Sequence, residues 1–212
     1  MRKSEKTLNI LALTLCLSLL LVNSVFAANG AKMFGIPNVA YSTESAGVAL
    51  NGFNSKLGYP SAFAVTAAET TKAKILDYIH NDPNGYGFYF DGHGGDSTNT
   101  RIISSDVNAV YPSEITGNWH FVYIDACYTG QTDSWAKAFK ILYDNGGYYS
   151  KRAFLGWYDT VTVYAAYDFL NYYFEYVPGE TVRNAALDAA ARTWGSTPTR
   201  FFGDPNYNGA SY

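Results

Sequence analysis

Three short stretches of uninterrupted apolar residues constrain the fold of this chain more than any other feature of its sequence. They run from Tyr86 to Phe90, from His120 to Ile124 and from Ala153 to Trp157. An unbroken apolar run is typical of a strand covered on both faces, whereas a half-exposed strand alternates apolar and polar residues. Because helical segments separate these runs, the sequence predicts a three-layer α/β/α sandwich around a mostly parallel sheet.

Weaker patterns complete the predicted order of elements. Further strands are expected near Lys32 to Ile36, at Ala62 to Thr66, near Ile102 and Ile103, from Asn108 to Tyr111 and at Phe201 and Phe202. Helices are expected at Ser42 to Leu57, Thr70 to His80, Trp135 to Tyr143, Val161 to Tyr176 and Thr181 to Trp194. Ser42 or Thr43 is the expected cap of the first helix. The segment Asp91 to Gly95 is predicted to be a loop, and Asn81 to Gly85 a turn.

The amino-terminal residues have the pattern of an export signal. Three basic residues precede an apolar run from Leu8 to Val22, and small residues follow it up to Ala27. We therefore expect a signal peptide at residues 1–27 and one domain at residues 28–212. The alternative, an uncleaved anchor helix, needs about 20 apolar residues. The mature protein is expected to be secreted, extracellular or periplasmic, and free of the membrane.

Composition excludes several classes of function. Charged residues make up 16% of the 212 residues, the formal net charge is −3, and no basic run is present, which argues against nucleic-acid binding. Neither a zincin HExxH motif, a GxSxG elbow nor a phosphate-binding P-loop occurs. Two cysteines cannot form a disulfide scaffold, and loss of Cys16 with the signal peptide leaves only Cys127.

One histidine and one cysteine follow successive apolar strands at the same distance. His93 lies three residues beyond Phe90, and Cys127 lies three residues beyond Ile124. The carboxyl ends of parallel strands meet at one edge of a sheet, where ligand sites form. A thiolate there is a nucleophile, and an imidazole beside it transfers protons. Taken singly, a cysteine is more often a buried apolar residue, and a glycine-flanked histidine is often part of a tight loop.

These segments resemble the caspase-like cysteine peptidases, and most closely the clostripain and gingipain branch. The resemblance rests on Phe88 to Gly95, a strand ending in His-Gly, and on Phe121 to Gly130, a strand ending in Asp-Ala-Cys. Ala153 to Trp157 resembles the strand after the nucleophile, and Phe202 to Pro205 resembles a closing Gly-Asp-Pro segment. The similarity covers roughly Ala62 to Asn206, and it implies a caspase-like fold.

The resemblance also implies roles for individual residues. Cys127 corresponds to the nucleophile and His93 to the general acid–base, while the N–H groups of Gly94 and Cys127 correspond to the oxyanion hole. The substrates are then proteins or peptides, and no cofactor is required, although calcium dependence and oligomeric state stay open. Asp91 and Asp96, which flank His93, are expected to form turns rather than to bind a metal.

Two acidic residues are predicted to select a basic substrate side chain. Asp125 lies two residues before Cys127, where relatives carry an acidic residue in the pocket for the side chain before the cut bond. Asp159 follows the next strand and is expected to share that pocket. A carboxylate there favours Arg or Lys. The alternatives are that Asp125 caps a loop and that Asp159 caps the helix starting near Thr160.

A second function stays open, namely an inactive caspase-like domain that acts as an exported binding module. Its thiol would be sealed away from His93, whereas a peptidase needs both side chains in one groove. For the peptidase, the dibasic pair Lys151–Arg152 is a candidate site of self-cleavage, although a solvated pair at a loop edge is the favoured interpretation.

Overall fold

The computed structural model describes residues 30–81, 86–195 and 197–210. Within these ranges the chain forms nine strands and five α-helices. In chain order they are β1 (Ala31–Gly35), α1 (Ser42–Asn51), β2 (Phe63–Val65), α2 (Lys72–Asn81), β3 (Gly87–Asp91), β4 (Gly94–Asp96), β5 (Asn99–Ile103), β6 (Ala109–Val110), β7 (Phe121–Asp125), α3 (Ser134–Ala138), β8 (Ala153–Trp157), α4 (Val163–Tyr176), α5 (Val182–Arg192) and β9 (Thr199–Gly203).

Six of the strands form one sheet in the order β2-β1-β3-β7-β8-β9. The first five strands are parallel, and β9 pairs antiparallel with β8. Helices α1, α4 and α5 pack on one face of this sheet, and α2 and α3 pack on the other. The central strands β3, β7 and β8 are buried along their whole length. The predicted three-layer sandwich with a mostly parallel sheet is confirmed.

Some of the tyrosines belong to the core. Tyr59, Tyr89, Tyr123, Tyr173 and Tyr207 are buried against the face of the sheet that carries α1, α4 and α5. Packing therefore accounts for part of the high tyrosine content of the sequence, 19 residues.

The segment after β3 is more regular than the sequence indicates. Gly94 and Gly95, predicted to lie in a loop, belong to β4, which pairs antiparallel with β5 in a separate three-stranded sheet. The His93 carbonyl accepts a hydrogen bond of 2.9 Å from the Ile103 N–H. The loop prediction for Gly94–Gly95 is wrong, since glycine has a low strand propensity and only the partner strand holds it extended.

Other elements differ from prediction at their ends. Helix α3 ends at Ala138 rather than near Tyr143, because Lys140 takes a left-handed conformation with φ 54°. Strand β2 is a sheet edge with Phe63 exposed, not a buried strand. The predicted signal peptide and most of the predicted turn at Asn81–Gly85 lie outside the described residues. In the part of the chain that is described, no helix has the length and apolarity needed to cross a membrane.

Ser42 does not cap the first helix as expected. Tyr41 occupies the cap position with φ 63°, and its side chain makes no capping hydrogen bond. The buried Ser42 hydroxyl instead accepts a hydrogen bond from the Ile36 N–H at 2.6 Å and donates one to the Asp91 carbonyl at 3.0 Å. This side chain therefore connects the loop after β1 to the last residue of β3.

Candidate active site

Two loops at the carboxyl edge of the sheet bring His93 and Cys127 to one pocket. Strands β3 and β7 pair in parallel over their full length and end together, so both loops leave the sheet at the same level. His93 lies two residues beyond the end of β3, and Cys127 lies two residues beyond the end of β7. Both side chains line a pocket of about 60 Å³, which Val39 and Val161 help to close.

Cys127 is half-buried, and its thiol lies against the backbone of Val161. Its Sγ accepts a hydrogen bond from the Val161 N–H at 3.5 Å, and the thiol donates to the Val161 carbonyl at 3.7 Å. Tyr128, the next residue, has φ 62°, and the Thr129 hydroxyl donates to the carbonyls of Ile124 and Ala126. These bonds fix the turn that presents the thiol.

The loop after β3 packs directly on the backbone of Cys127. A Cβ atom at Gly94 would overlap the Cys127 carbonyl oxygen and lie 2.6 Å from its nitrogen. The Gly95 N–H donates to the Cys127 carbonyl at 3.2 Å, and the Gly92 N–H donates to the Asp125 carbonyl at 3.2 Å. A glycine is therefore required at residue 94 for the two loops to lie this close.

The other two histidines lie away from this pocket. The His80 Nε2 lies 3.0 Å from the Glu114 carbonyl at an exposed position. His120 stacks on Tyr86 at the opposite end of β7, and burial lowers its pKa to about 4. His93 is thus the histidine that lines the pocket with Cys127.

Asp125 lies in the wall of the pocket with its carboxylate buried. Only 2% of the residue is exposed. The Trp157 indole N–H donates to Oδ1 at 2.6 Å, and the Tyr89 hydroxyl donates to Oδ2 at 3.2 Å. Burial raises the pKa of Asp125 to about 6, although these hydrogen bonds act in the opposite direction. The carboxylate forms bonds to side chains instead of capping a loop.

Asp159 lies in the exposed loop after β8, outside the pocket wall. The Thr160 N–H donates to its Oδ1 at 2.7 Å, and this bond, followed by one from the Tyr128 hydroxyl, lowers the pKa of Asp159. Its carbonyl accepts from the Tyr128 N–H at 3.3 Å. Thr162 is the cap of α4, so the alternative in which Asp159 caps this helix is wrong.

Asp91 is the residue of the site that the sequence interpretation misses. Asp96 forms the expected turn, with Oδ1 accepting from the Thr98 N–H at 2.9 Å. Asp91, by contrast, is 7% exposed and lines the pocket with Asp125. Burial, and then the charge of Asp125, raises the pKa of Asp91 well above its ordinary value. The sequence pattern that could have identified Asp91 is that each of two neighbouring apolar strands ends in an acidic residue, Asp91 or Asp125.

A metal site needs several ligating side chains close together. Within residues 30–81, 86–195 and 197–210, no three His, Cys, Asp or Glu side chains lie close enough together to hold a metal ion.

Solved structures with a similar fold give these observations a context. No family model and no curated protein matches the sequence. The complex of the pro- and mature domains of RgpB from Porphyromonas gingivalis superposes with a TM-score of 0.53 at 12% identity, covering 85% of this chain. The Arg-specific cysteine proteinase gingipain R superposes with a TM-score of 0.52 at 14% identity, covering 84%.

The chain has the caspase-like fold of the gingipains. It covers 48% and 45% of those two chains, so it spans about half the length of each gingipain structure. At 12–14% identity the similarity establishes the fold. The chemistry must be argued from the pocket itself.

Proposed function

We propose that this protein is an exported cysteine endopeptidase that uses Cys127 as nucleophile and His93 as general acid–base. The observation that carries the proposal is that both side chains line one pocket at the carboxyl edge of the sheet. An inactive binding module would not need a half-buried cysteine and a histidine in the lining of one pocket. The gingipain-like fold supports the same function.

The mechanism follows from the groups at this edge. His93 accepts the thiol proton, and the Cys127 sulfur attacks the carbonyl carbon of the scissile peptide bond. The resulting oxyanion is stabilised by the N–H groups of Gly94 and Cys127, whose backbones are in contact. Collapse of the tetrahedral intermediate expels the amine, which takes its proton from His93. Water then hydrolyses the thioester, and His93 accepts the proton of that water.

Substrate selection in the proposal depends on the acidic residues. Asp125 lines the pocket, and Asp159, on the exposed loop after β8, is proposed to act with it. A carboxylate with little access to water favours a cationic partner, so cleavage after Arg or Lys is expected. The Arg specificity named for the gingipain structure favours the same preference.

Cleavage of a peptide library by matched variants tests the proposal. We expect Cys127→Ala to abolish cleavage and labelling by a thiol-directed peptide inhibitor. His93→Ala should lower kcat/KM by roughly 10²–10⁴-fold. His80→Ala, which removes an exposed histidine outside the pocket, is the control and should keep full activity. Undiminished cleavage by Cys127→Ala would exclude the assigned nucleophile, and faster cleavage after Asp than after Arg or Lys would exclude the assigned specificity.

Export is tested separately. If residues 1–27 are a signal peptide, the secreted product should begin at Ala28, as read by mass spectrometry of its amino-terminal peptide. A secreted product that retains Met1 would contradict this part of the proposal.

A further inference from the structure

Two buried carboxyl groups lie side by side beneath the proposed catalytic pair. Asp91 is the last residue of β3, Asp125 is the last residue of β7, and the two are direct partners in the parallel register. Neighbouring strands are about 4.8 Å apart, and paired residues point to the same face of a sheet. Both residues line the pocket that also contains Cys127 and His93.

Among the described residues, the surroundings of the pair supply hydrogen bonds but no permanent positive charge. From β3 and β8 the Tyr89 hydroxyl and the Trp157 indole donate to Asp125. From α1 the Ser45 hydroxyl interacts with Asp91. Across the pocket the facing titratable groups are the His93 imidazole and the Cys127 thiol, and Tyr123 of β7 packs beside Asp125.

The remaining wall of the pocket is apolar. It consists of Val39 from the loop after β1, Val161 from the loop after β8, and Val163 and Ala166 from α4. No Lys or Arg lines this pocket in the described part of the chain. Two adjacent carboxylates buried without a cation repel each other, and one of them is stabilised by keeping a proton. Burial accordingly raises the pKa of both groups.

We propose that Asp91 and Asp125 together bind the cationic end of a substrate side chain, and that the pair releases its shared proton to solvent when that cation enters. Asp91 is thus a specificity-determining residue in addition to Asp125. The only bond that breaks is the O–H bond of the protonated carboxyl group, whose proton passes to water, and the arriving ammonium or guanidinium takes its place as the positive charge between the carboxylates. The inference rests on the proposed peptidase function and deepens it.

Proton release is measured by calorimetry on the Cys127→Ala protein, which binds peptide without cleaving it. A blocked peptide with one Arg is titrated at pH 6.5 in two buffers of different ionisation enthalpy. We expect a release of up to about one proton for each peptide bound. The same peptide with Gln in place of Arg should bind weakly and release none. Equal heats in the two buffers with the Arg peptide would overturn the inference.

Variants test whether the released proton comes from the Asp91–Asp125 pair. In the Cys127→Ala background, Asp91→Asn should remove most of the proton release and weaken binding of the Arg peptide by on the order of tenfold or more. Asp96→Asn is the matched control, because it removes an exposed carboxylate outside the pocket, which accepts from the Thr98 N–H and pairs with Arg101. Unchanged affinity and proton release in Asp91→Asn would contradict the proposal. The measurement on the Cys127→Ala protein with Asp91 intact remains decisive if this variant does not fold.

A second measurement separates this inference from the proposed function. In protein labelled with ¹³C at Asp Cγ, the signals of Asp91 and Asp125 should titrate in two coupled steps. In Asp91→Asn the Asp125 signal should remain and should titrate in a single step. If the wild type cleaves peptides while the two carboxyl groups titrate independently, each near the ordinary pKa of an aspartate, only the inference on the pair is wrong. If no peptide is bound or cleaved, both proposals fall.

Discussion

Gly94 is the residue at which the candidate site leaves least room for change. Its backbone lies on that of Cys127, and the N–H groups of both residues are the proposed oxyanion donors. Within the described chain the Cys127 N–H donates to no backbone carbonyl, which is consistent with that role. Because residue 94 has no side chain, the loop that carries the His93 imidazole lies directly against the loop that carries the Cys127 thiol.

Gly94→Ala should cause a large loss of activity with a smaller loss of stability. The new methyl group overlaps the Cys127 carbonyl, so the two loops must separate and the oxyanion donors move. We expect kcat/KM to fall by about 10²-fold or more. The control is Gly47→Ala, where nothing lies within 4 Å of the new Cβ and helix α1 should gain about 1 kcal/mol. An active Gly94→Ala enzyme would remove Gly94 from the proposed site.

The carboxyl pair also makes stability depend on pH. The pKa of Asp125 is about 6 in the folded protein, above its ordinary value of 3.8, so the folded state binds more protons than the unfolded state between these values. The contribution of Asp125 is thus fully present below about pH 4 and is lost as pH rises through 6. We expect Asp125→Asn to flatten this part of the curve of unfolding free energy against pH. A wild-type curve without this decline between pH 4 and 6 would contradict the assignment.

At the scale of the elements, the sequence predicts the buried strands well. The runs at residues 86–90, 120–124 and 153–157 agree with β3, β7 and β8 within one residue, because a strand buried on both faces must be apolar throughout. The same strand ends indicate His93 and Cys127 as the candidate pair. The sequence does not single out Asp91, because its place in the pocket depends on register with Asp125, and register between strands is not readable from either strand alone.

The Ser42 bridge offers a test of how the strand ends are held. Ser42→Ala removes a buried hydroxyl that joins the Ile36 N–H to the Asp91 carbonyl. The Ile36 N–H keeps a bond of 3.2 Å to the Asp91 carbonyl, so the substitution removes the two bonds of the hydroxyl without leaving this donor unpaired. Chemical denaturation should show a loss of about 1–2 kcal/mol. Ser55→Ala is the matched control, since its hydroxyl bonds Asn51 at an exposed position and the change should stay within about 0.5 kcal/mol. Equal effects of the two substitutions would contradict the bridge.

At the scale of the whole molecule, the candidate self-cleavage site lies far from the candidate nucleophile. Lys151–Arg152 precedes β8, whereas Cys127 lies at the level where β7 and β8 end.

Hydrogen bonds hold the dibasic pair in place. The Arg152 guanidinium donates to the Asn118 side chain and the Lys140 carbonyl, both at 2.7 Å. Asp204, in the Gly-Asp-Pro segment, accepts from the Lys151 N–H and donates its own N–H to the Arg152 carbonyl. These hydrogen bonds hold Lys151 and Arg152 next to the end of β9.

We expect the folded, active protein to remain uncut at Arg152. The bond is held on both sides by hydrogen bonds and lies at the opposite edge of the sheet from the thiol, so it cannot enter the protein's own pocket. Mass spectrometry of protein incubated under conditions of full activity should show one chain through this point. Cys127→Ala treated identically is the control for outside proteases. A fragment starting at Ala153 that forms at a rate independent of protein concentration would contradict the expectation.

The reversed direction of β9 has a consequence for how such a domain can diversify. Because β9 runs against the other five strands, its first residues, and not its last, lie at the edge where Cys127 sits, and the Cβ of Arg200 lies against Gly130. The connection from α5 therefore arrives beside the site without carrying either residue of the proposed catalytic pair. Insertions in that connection can change the shape of the cleft while the proposed catalytic pair stays in place, so the proposed substrate range and chemistry can evolve on separate segments of the chain.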